Sequence, residues 1–354
     1  MRPMLHFTRK GNLFSQEYCS DNSYLKSDNE DTDHISERES HQLNLCKKIP
    51  VKETTSLNLT KHENGKKMIN EYIKVRRISR GSYGKVAMYR NIKDGTPYAI
   101  KTICKSRLKK VRVTRRETAM ENILREVSIM KMLDHPNIVN LIEVIDDQKA
   151  DHLYMVLEYI EGNPISNIRR MTTRIGETTA RSYFKDIISG LIYLHSHNII
   201  HGDIKPENLL LTSSGTVKIG DFSFSYAFED ENDKLSRCPG TPAFTPPECC
   251  LDTVYGGKAA DTWAAGVTLY YLVVGSFPFL ADSIAETYDK IVNSPLSLPE
   301  ELNPELNDLL QGLLCKDPMH RITLDDAAEH PWVVKEGDRV SIESSCSCRL
   351  LRSL

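Results

Sequence analysis

The apolar residues of this chain change their spacing near Gly162, and that change restricts the fold to two unlike halves. Before it, Ile69, Tyr72, Ile73, Val75 and Ile78 predict a first strand, residues 86–89 a second and residues 98–103 a third, at the two-residue period of a half-buried strand. Asp94-Gly95 marks the hairpin between the last two, since tight hairpin turns need residues that tolerate positive φ. Residues 141–146 and 153–159 predict two more strands. One helix interrupts them over residues 117–133, where Ile123, Leu124, Val127, Met130 and Leu133 share a face before His135-Pro136 stops it. Beyond Gly162 the spacing is helical. Tyr183, Phe184, Ile187, Ile188, Leu191 and Leu194 stripe residues 180–195, and 263–274 is apolar almost all round, as in a helix at the centre of a domain. Residues 307–314 and 324–330 supply later helices. The expected class is α+β, with a sheet-bearing half at 67–160 and a mainly helical half at 161–333.

Residues 1–66 are rich in Ser, Asn, Thr, Asp, Glu and Lys with only isolated apolar residues, too few to offset chain entropy, so they are expected to be disordered. Residues 334–354 read as a flexible tail. A net charge of -2 offers no overall field to hold nucleic acid or an anionic membrane. No run of about 18 apolar residues is present to span a membrane, and the N-terminus lacks the apolar core of a secretory signal. Arg2, Arg9 and Lys10 precede the first acid at Glu17, but the dense acids that follow argue against a transit peptide. Nine scattered cysteines without zinc-finger spacing fit free thiols in a reducing compartment, cytoplasmic or nuclear.

The chemistry concentrates in His201-Gly-Asp-Ile-Lys-Pro-Glu-Asn208, followed by Asp221-Phe-Ser. Asp203 can orient a hydroxyl and take its proton, and Lys205 can neutralise charge on a phosphoryl group. Asn208 and Asp221 offer the hard oxygen ligands that magnesium prefers. Upstream, Ser79-Arg-Gly-Ser-Tyr-Gly84 lies between two strands, where glycines let backbone approach phosphates without a Cβ clash. Lys101 follows one hairpin later and Glu126 lies on the next helix, in the order that lets the glutamate hold a phosphate-binding lysine. Each residue alone has a plainer reading as a loop, strand or helix-surface residue; the joint order and intervals favour phosphoryl transfer.

From about Tyr72 to Trp332 the chain resembles a eukaryotic protein kinase domain, which implies a bilobal fold using ATP and Mg2+. By that resemblance the nucleotide lies against Ser79, Gly81, Ser82, Tyr83, Gly84, Val86, Ala99, Lys101, Leu157, Glu158, Ile160 and Leu210, with Leu157 as gatekeeper. Glu248 of Pro246-Pro-Glu would pair with Arg321, and Asp261 would support the catalytic loop. Lys205-Pro-Glu-Asn208 and Gly240-Thr-Pro242 resemble serine/threonine kinases. The combination with Lys218-Ile-Gly-Asp-Phe-Ser223 and Glu248-Cys-Cys-Leu251 is similar to the plant geminivirus Rep-interacting kinases, relatives of calcium/calmodulin-dependent kinase kinases. The implied partner is the activation-loop threonine of a sucrose-nonfermenting-related, AMP-activated-type kinase.

Several positions depart from the family pattern. Gly202 replaces the arginine that binds an activation-segment phosphate, so activity either does not need that phosphate or uses another cation. Ser223 replaces a glycine and should stiffen the backbone there, while Ser79 thins the phosphate loop. Ser236 and Thr241 are candidate phosphorylation sites; Thr241 resembles the residue that hydrogen-bonds near Asp203 and Lys205. The acid-free basic run at 105–116 reads either as a solvated mobile insert or as a surface for an acidic partner, for nuclear targeting or for nucleic acid. The tail after Trp332 has no long basic amphipathic helix of the kind calmodulin binds. A kinase-fold scaffold without catalysis is the alternative to an active enzyme.

Overall fold

The computed structural model describes residues 47, 49–63, 65–81, 83–114, 117–167, 175–229, 232–236, 240–251 and 254–335. The first half is one eight-stranded sheet built from β1 (Lys52–Thr54), β2 (Leu59–Lys61), β3 (Lys67–Ile69), β4 (Tyr72–Arg80), β5 (Gly84–Asn91), β6 (Pro97–Cys104), β7 (Leu141–Asp146) and β8 (His152–Glu158). Their order is β1-β7-β8-β6-β5-β4-β3-β2, antiparallel throughout except for β1 beside β7. Asn70, at φ 48°, turns β3 into β4, so the expected first strand is a short hairpin. Asx-type residues tolerate this left-handed backbone better than most.

The disorder expected for 1–66 is corrected over 49–63, where β1 and β2 form; residues 1–46 lie outside the described residues. β2 is held by pairing with β3, and for β1 the physical reason is a charge buried on the neighbouring strand. Glu143 of β7 is 0% exposed and accepts the Tyr72 hydroxyl at 2.6 Å and that of Thr54 at 2.5 Å, with Lys52 Nζ at 3.0 Å. A buried carboxylate needs such partners, and β1 supplies two of the three.

The basic run is also partly folded rather than a wholly mobile insert. Lys105–Lys110 forms helix α1, whose Leu108 is buried against the core and whose Lys105 reaches Asp146 at 2.8 Å. Helix α2 (Ala119–Met132) starts at a capping box between Thr118 and Glu121, which satisfies two N–H groups at the helix start. It buries Ile123, Val127 and Met130 against the inner face of the sheet.

The second half holds α3 (Glu177–Ser196), α4 (Pro247–Leu251), α5 (Gly257–Val274), α6 (Ile284–Asn293), α7 (Pro304–Leu313) and α8 (Leu324–Glu329). Helix α5 is the expected central helix, with Trp263, Ala265, Val267, Leu269 and Leu272 all fully buried. Helix α6 was not read from the sequence. Its signals are a Ser283 side-chain cap and buried Thr287 and Ile291. Among the described residues no helix is long and apolar enough to cross a membrane.

Candidate active site

The sheet register aligns the upper wall of the site. Val86 pairs with Lys101 and Lys101 with Met155, while Ala99 pairs with Leu157. Because side chains alternate along strands, Val86, Ala99, Lys101 and Leu157 share one face. At the loop between β4 and β5, Ser79 pairs with Val86, and the Gly81 amide donates to the Gly84 carbonyl at 2.9 Å. A Cβ at Gly84 would lie 2.6 Å from the Thr102 carbonyl oxygen, so only glycine fits. Tyr83 flanks that turn, and Ser82 lies outside the described residues.

Lys101 Nζ meets Glu126 Oε1 at 2.7 Å and Oε2 at 2.9 Å, with Asp221 Oδ1 at 3.7 Å. Burial opposes the charge on Lys101, but the two carboxylates prevail and raise its pKa above the ordinary value. The lysine is therefore an ammonium at neutral pH. Glu158 Oε1 accepts from Lys218 Nζ at 2.9 Å and from the Asn140 amide at 2.7 Å, which ties down the strand end leading to Ile160. Leu210 lies on the short strand Leu209–Leu211, paired with Lys218 of Val217–Ile219.

On the helical side, Asp203 is a buried hub. Oδ2 lies 2.6 Å from Lys205 Nζ, Oδ1 accepts the Thr241 hydroxyl at 3.0 Å, and that hydroxyl accepts from Lys205 at 2.7 Å. Asn208 Nδ2 donates to the Asp203 carbonyl at 2.8 Å and to Oδ2 at 3.1 Å, leaving its Oδ1 as a neutral ligand oxygen. Asp221 sits at φ 60° with its carboxylate half-exposed. Burial would raise its pKa, yet Lys101 and the Ser223 hydroxyl hold it below the ordinary carboxylate value, so it stays ionised. Ser223, read from the sequence as a stiffening element, thus also steadies the Asp221 charge.

Asn208 and Asp221 fit a magnesium ion, which typically takes one or two protein ligands and completes its shell with phosphate oxygens and water. In keeping with so sparse a donor set, no cluster of three or more His, Cys, Asp or Glu forms a metal cage among the described residues.

Three supports escaped the sequence reading or were only implied by resemblance. His201 is fully buried; its Nδ1 accepts the Asp203 amide at 3.2 Å, so Nε2 carries the proton and donates to the Gly220 carbonyl at 3.2 Å. The ring therefore ties the Asp203 loop to the strand end before Asp221. Asp261 of α5 accepts the His201 amide, the Gly202 amide and His195 Nε2, each at 2.9 Å. Burial pushes the Asp261 carboxyl up, but these donors, His195 foremost, bring it below its usual value. Glu248 and Arg321 form the implied pair, bidentate at 2.6 and 2.8 Å and buried. Of the candidate phosphorylation sites, Ser236 is exposed, whereas the Thr241 hydroxyl is engaged by Asp203 and Lys205.

A hydroxyl-orienting carboxylate, a paired lysine under a glycine loop and two metal-competent oxygens across a bilobal cleft define a phosphotransferase of the protein kinase family. The chain belongs to that family: its protein kinase domain description matches residues 72–333. The chain is 58% identical over 307 residues to the serine/threonine-protein kinase GRIK2 of Arabidopsis thaliana, covering 86% of this chain and 75% of the relative. To GRIK1 of the same plant it is 56% identical over 305 residues, 86% and 77%. The calcium/calmodulin-dependent protein kinase kinase of Caenorhabditis elegans is 39% identical over 304 residues, 80% and 56%. The chain is a protein serine/threonine kinase.

Proposed function

We propose that the protein transfers the γ-phosphoryl group of ATP to the activation-loop threonine of a downstream kinase of the sucrose-nonfermenting-related, AMP-activated type. The observation that supports this target is the identity with two Arabidopsis kinases named as GRIKs, geminivirus Rep-interacting kinases. The general chemistry rests on the Asp203, Lys205 and Thr241 arrangement.

In this reading Asp203 orients the acceptor hydroxyl and receives its proton while the hydroxyl oxygen bonds to the γ-phosphorus and the bond to ADP breaks. Lys101, held by Glu126, binds the non-transferred phosphates, and Lys205 offsets charge on the phosphoryl group in flight. Magnesium, held by Asn208 and Asp221, would neutralise the phosphate oxygens. Val86, Ala99, Leu157 and Leu210 enclose the adenine, with the backbone of 158–160 alongside. Exposed Ser236 is a site open to phosphorylation that the transfer itself does not require, and the protein works in the cytoplasm.

The test incubates the purified protein with ATP, Mg2+ and a catalytically dead sucrose-nonfermenting-related kinase. Phosphate is expected on the activation-loop threonine and at background with Asp203→Asn. Transfer to a generic acceptor but not to that threonine would reject the target and keep the kinase.

A further inference from the structure

Helix α5 starts at two glycines that cannot cap it. Gly256, the N-cap residue, has no side chain, and a Cβ there would lie 3.4 Å from Asp233 Oδ2. A Cβ on Gly257 would meet Ile200 Cδ1 at 2.4 Å. The first N–H groups of a helix nevertheless need acceptors. Here both come from the activation segment, the stretch between Asp221 and Glu248. The Asp233 carbonyl accepts the Gly257 amide at 3.0 Å, and Asp233 Oδ2 accepts the Lys258 amide at 3.0 Å. A carboxylate in this place is also favoured by the helix dipole.

The consequences run in both directions from Asp233. Lys234 and Leu235 pair antiparallel with Gly256 and Tyr255, and Leu235 lines a cavity of about 40 Å³ together with Gly202, Asp203 and Thr241. Four residues into the same helix, Asp261 holds the amides of His201 and Gly202. Upstream, Tyr226 and Ala227 pair with Ile200 and Ile199, and Lys258 Nζ lies 5.3 Å over the Phe228 ring. The segment is thus pinned to the helix whose Asp261 holds the loop at His201 and Gly202.

We propose that Asp233 is a positioning residue for phosphoryl transfer: the side-chain oxygen with which it caps α5 from the activation segment orders that segment, as a bound phosphate does elsewhere. This explains how Gly202 can stand where a phosphate-binding arginine would. It holds Lys234 and Leu235 on the strand paired with Gly256 and Tyr255 without a modification at Ser236.

The test uses the full chain with myelin basic protein as acceptor. Asp233→Ala is expected to lower kcat about tenfold while the KM for ATP stays within about twofold, because the nucleotide-binding side chains are untouched. Asp233→Asn keeps an oxygen that accepts the Lys258 amide and should recover most of the rate. Asp233→Glu keeps the charge but displaces the oxygen by a methylene and should remain slow. Tryptic cleavage after Lys234 should accelerate for the Ala and Glu variants only. Phosphatase treatment of the unaltered protein should leave kcat unchanged. An Ala variant at full rate, an Asn variant as slow as Ala, a Glu variant at full rate, or loss of activity on phosphatase treatment would each overturn the proposal. If Asp233→Ala does not fold, the contrast between Asn and Glu decides.

Discussion

Asp261 Oδ1 accepts the backbone amide of Gly202 at 2.9 Å, so the residue that departs most from the family pattern is held by the helix beneath it. Gly202 has φ 76°, and a Cβ there would lie 2.9 Å from the backbone carbonyl oxygen of Phe224. The glycine therefore does more than omit an arginine; it accepts a left-handed backbone against an immovable neighbour.

Gly202→Ala is accordingly expected to cost about 1–3 kcal/mol, the strain of a side chain at positive φ plus the contact with Phe224. Urea unfolding followed by far-UV circular dichroism measures it. Gly202→Arg should cost at least as much and should not raise the activity of the unphosphorylated enzyme. A marked gain in activity would mean that a phosphate-binding arginine is what the segment lacks.

Asp261 makes a prediction about pH. Its folded carboxyl is held below the usual value of 3.8, so the unfolded chain binds the proton first as pH falls. Its stabilisation is full above about pH 5 and fades as pH drops through 3.8 towards the depressed folded value. The stability gap between the unaltered protein and Asp261→Asn should be about 2–4 kcal/mol at pH 7, since three buried donors lose a charged acceptor, and should narrow below pH 4. Denaturant midpoints across pH 7 to 3 check it; a constant gap would refute the assignment. The same variant should lower kcat by about a hundredfold through misplacement of the Asp203 loop.

How far such features are legible in the sequence depends on where their partners lie. Lys101, Glu126, Asp203, Asn208 and Asp221 could be read because their motifs place each on a recognisable strand, helix or loop. The β1 and β2 strands could not. They are three residues each and show almost no buried alternation; β1 owes its order to Glu143, 89 positions beyond Thr54, and β2 to its pairing with β3. Asp233 was equally silent, because a helix beginning Gly256-Gly257 carries no capping signal and its cap comes from 25 residues upstream. The role of Ser223 as a donor to Asp221 was hidden for a different reason: a substitution from the family pattern shows what is lost, not what the new hydroxyl contacts.

The Glu248–Arg321 pair predicts an asymmetry between variants. Arg321 also donates to the carbonyls of Cys315 and Ala259, at 3.0 and 2.8 Å, so its planar fork ties α4, α5 and the loop before α8 together. Removing either charge alone strands the other in the interior and should cost about 3–5 kcal/mol. Arg321→Lys should recover little, because an ammonium cannot make the bidentate contact and the two carbonyl bonds at once. Thermal unfolding of Glu248→Gln, Arg321→Met, Arg321→Lys and the Glu248→Gln/Arg321→Met double variant measures it. The double variant should be less damaged than the sum of the singles.

The Lys101–Glu126 pair links helix α2 to ATP use. Glu126→Gln keeps the shape but removes the charge that most strongly supports the Lys101 ammonium, leaving half-exposed Asp221 at 3.7 Å as the nearest carboxylate. The lysine should then swing toward Asp221, away from the place Glu126 fixes. The expected result is a fall of about a hundredfold in kcat/KM for ATP with little change in acceptor affinity, since the acceptor side rests on Asp203, Lys205 and Thr241. Steady-state kinetics with each substrate varied in turn checks this. An equal loss on both substrates would indicate a general collapse of the sheet-bearing half instead.

Deleting residues 1–61 tests the unforeseen strands. The deletion uncovers the β7 edge and takes Lys52 and Thr54 from Glu143, leaving only the Tyr72 hydroxyl to face a buried carboxylate. It also removes the Leu57 amide from Asp147 and the Lys47 contacts with Asn140 and Leu141, which adjoin Glu158. A loss of about 2–5 kcal/mol is expected, chiefly the cost of stranding Glu143. Glu143→Gln in the truncated chain should restore part of that loss, because a neutral amide tolerates burial with fewer partners. In the full-length chain the same substitution should destabilise, since Lys52 then faces no carboxylate on β7. That reversal of sign, read from denaturant midpoints of the four proteins, separates a charge that needs β1 from a truncation that merely shortens the sheet.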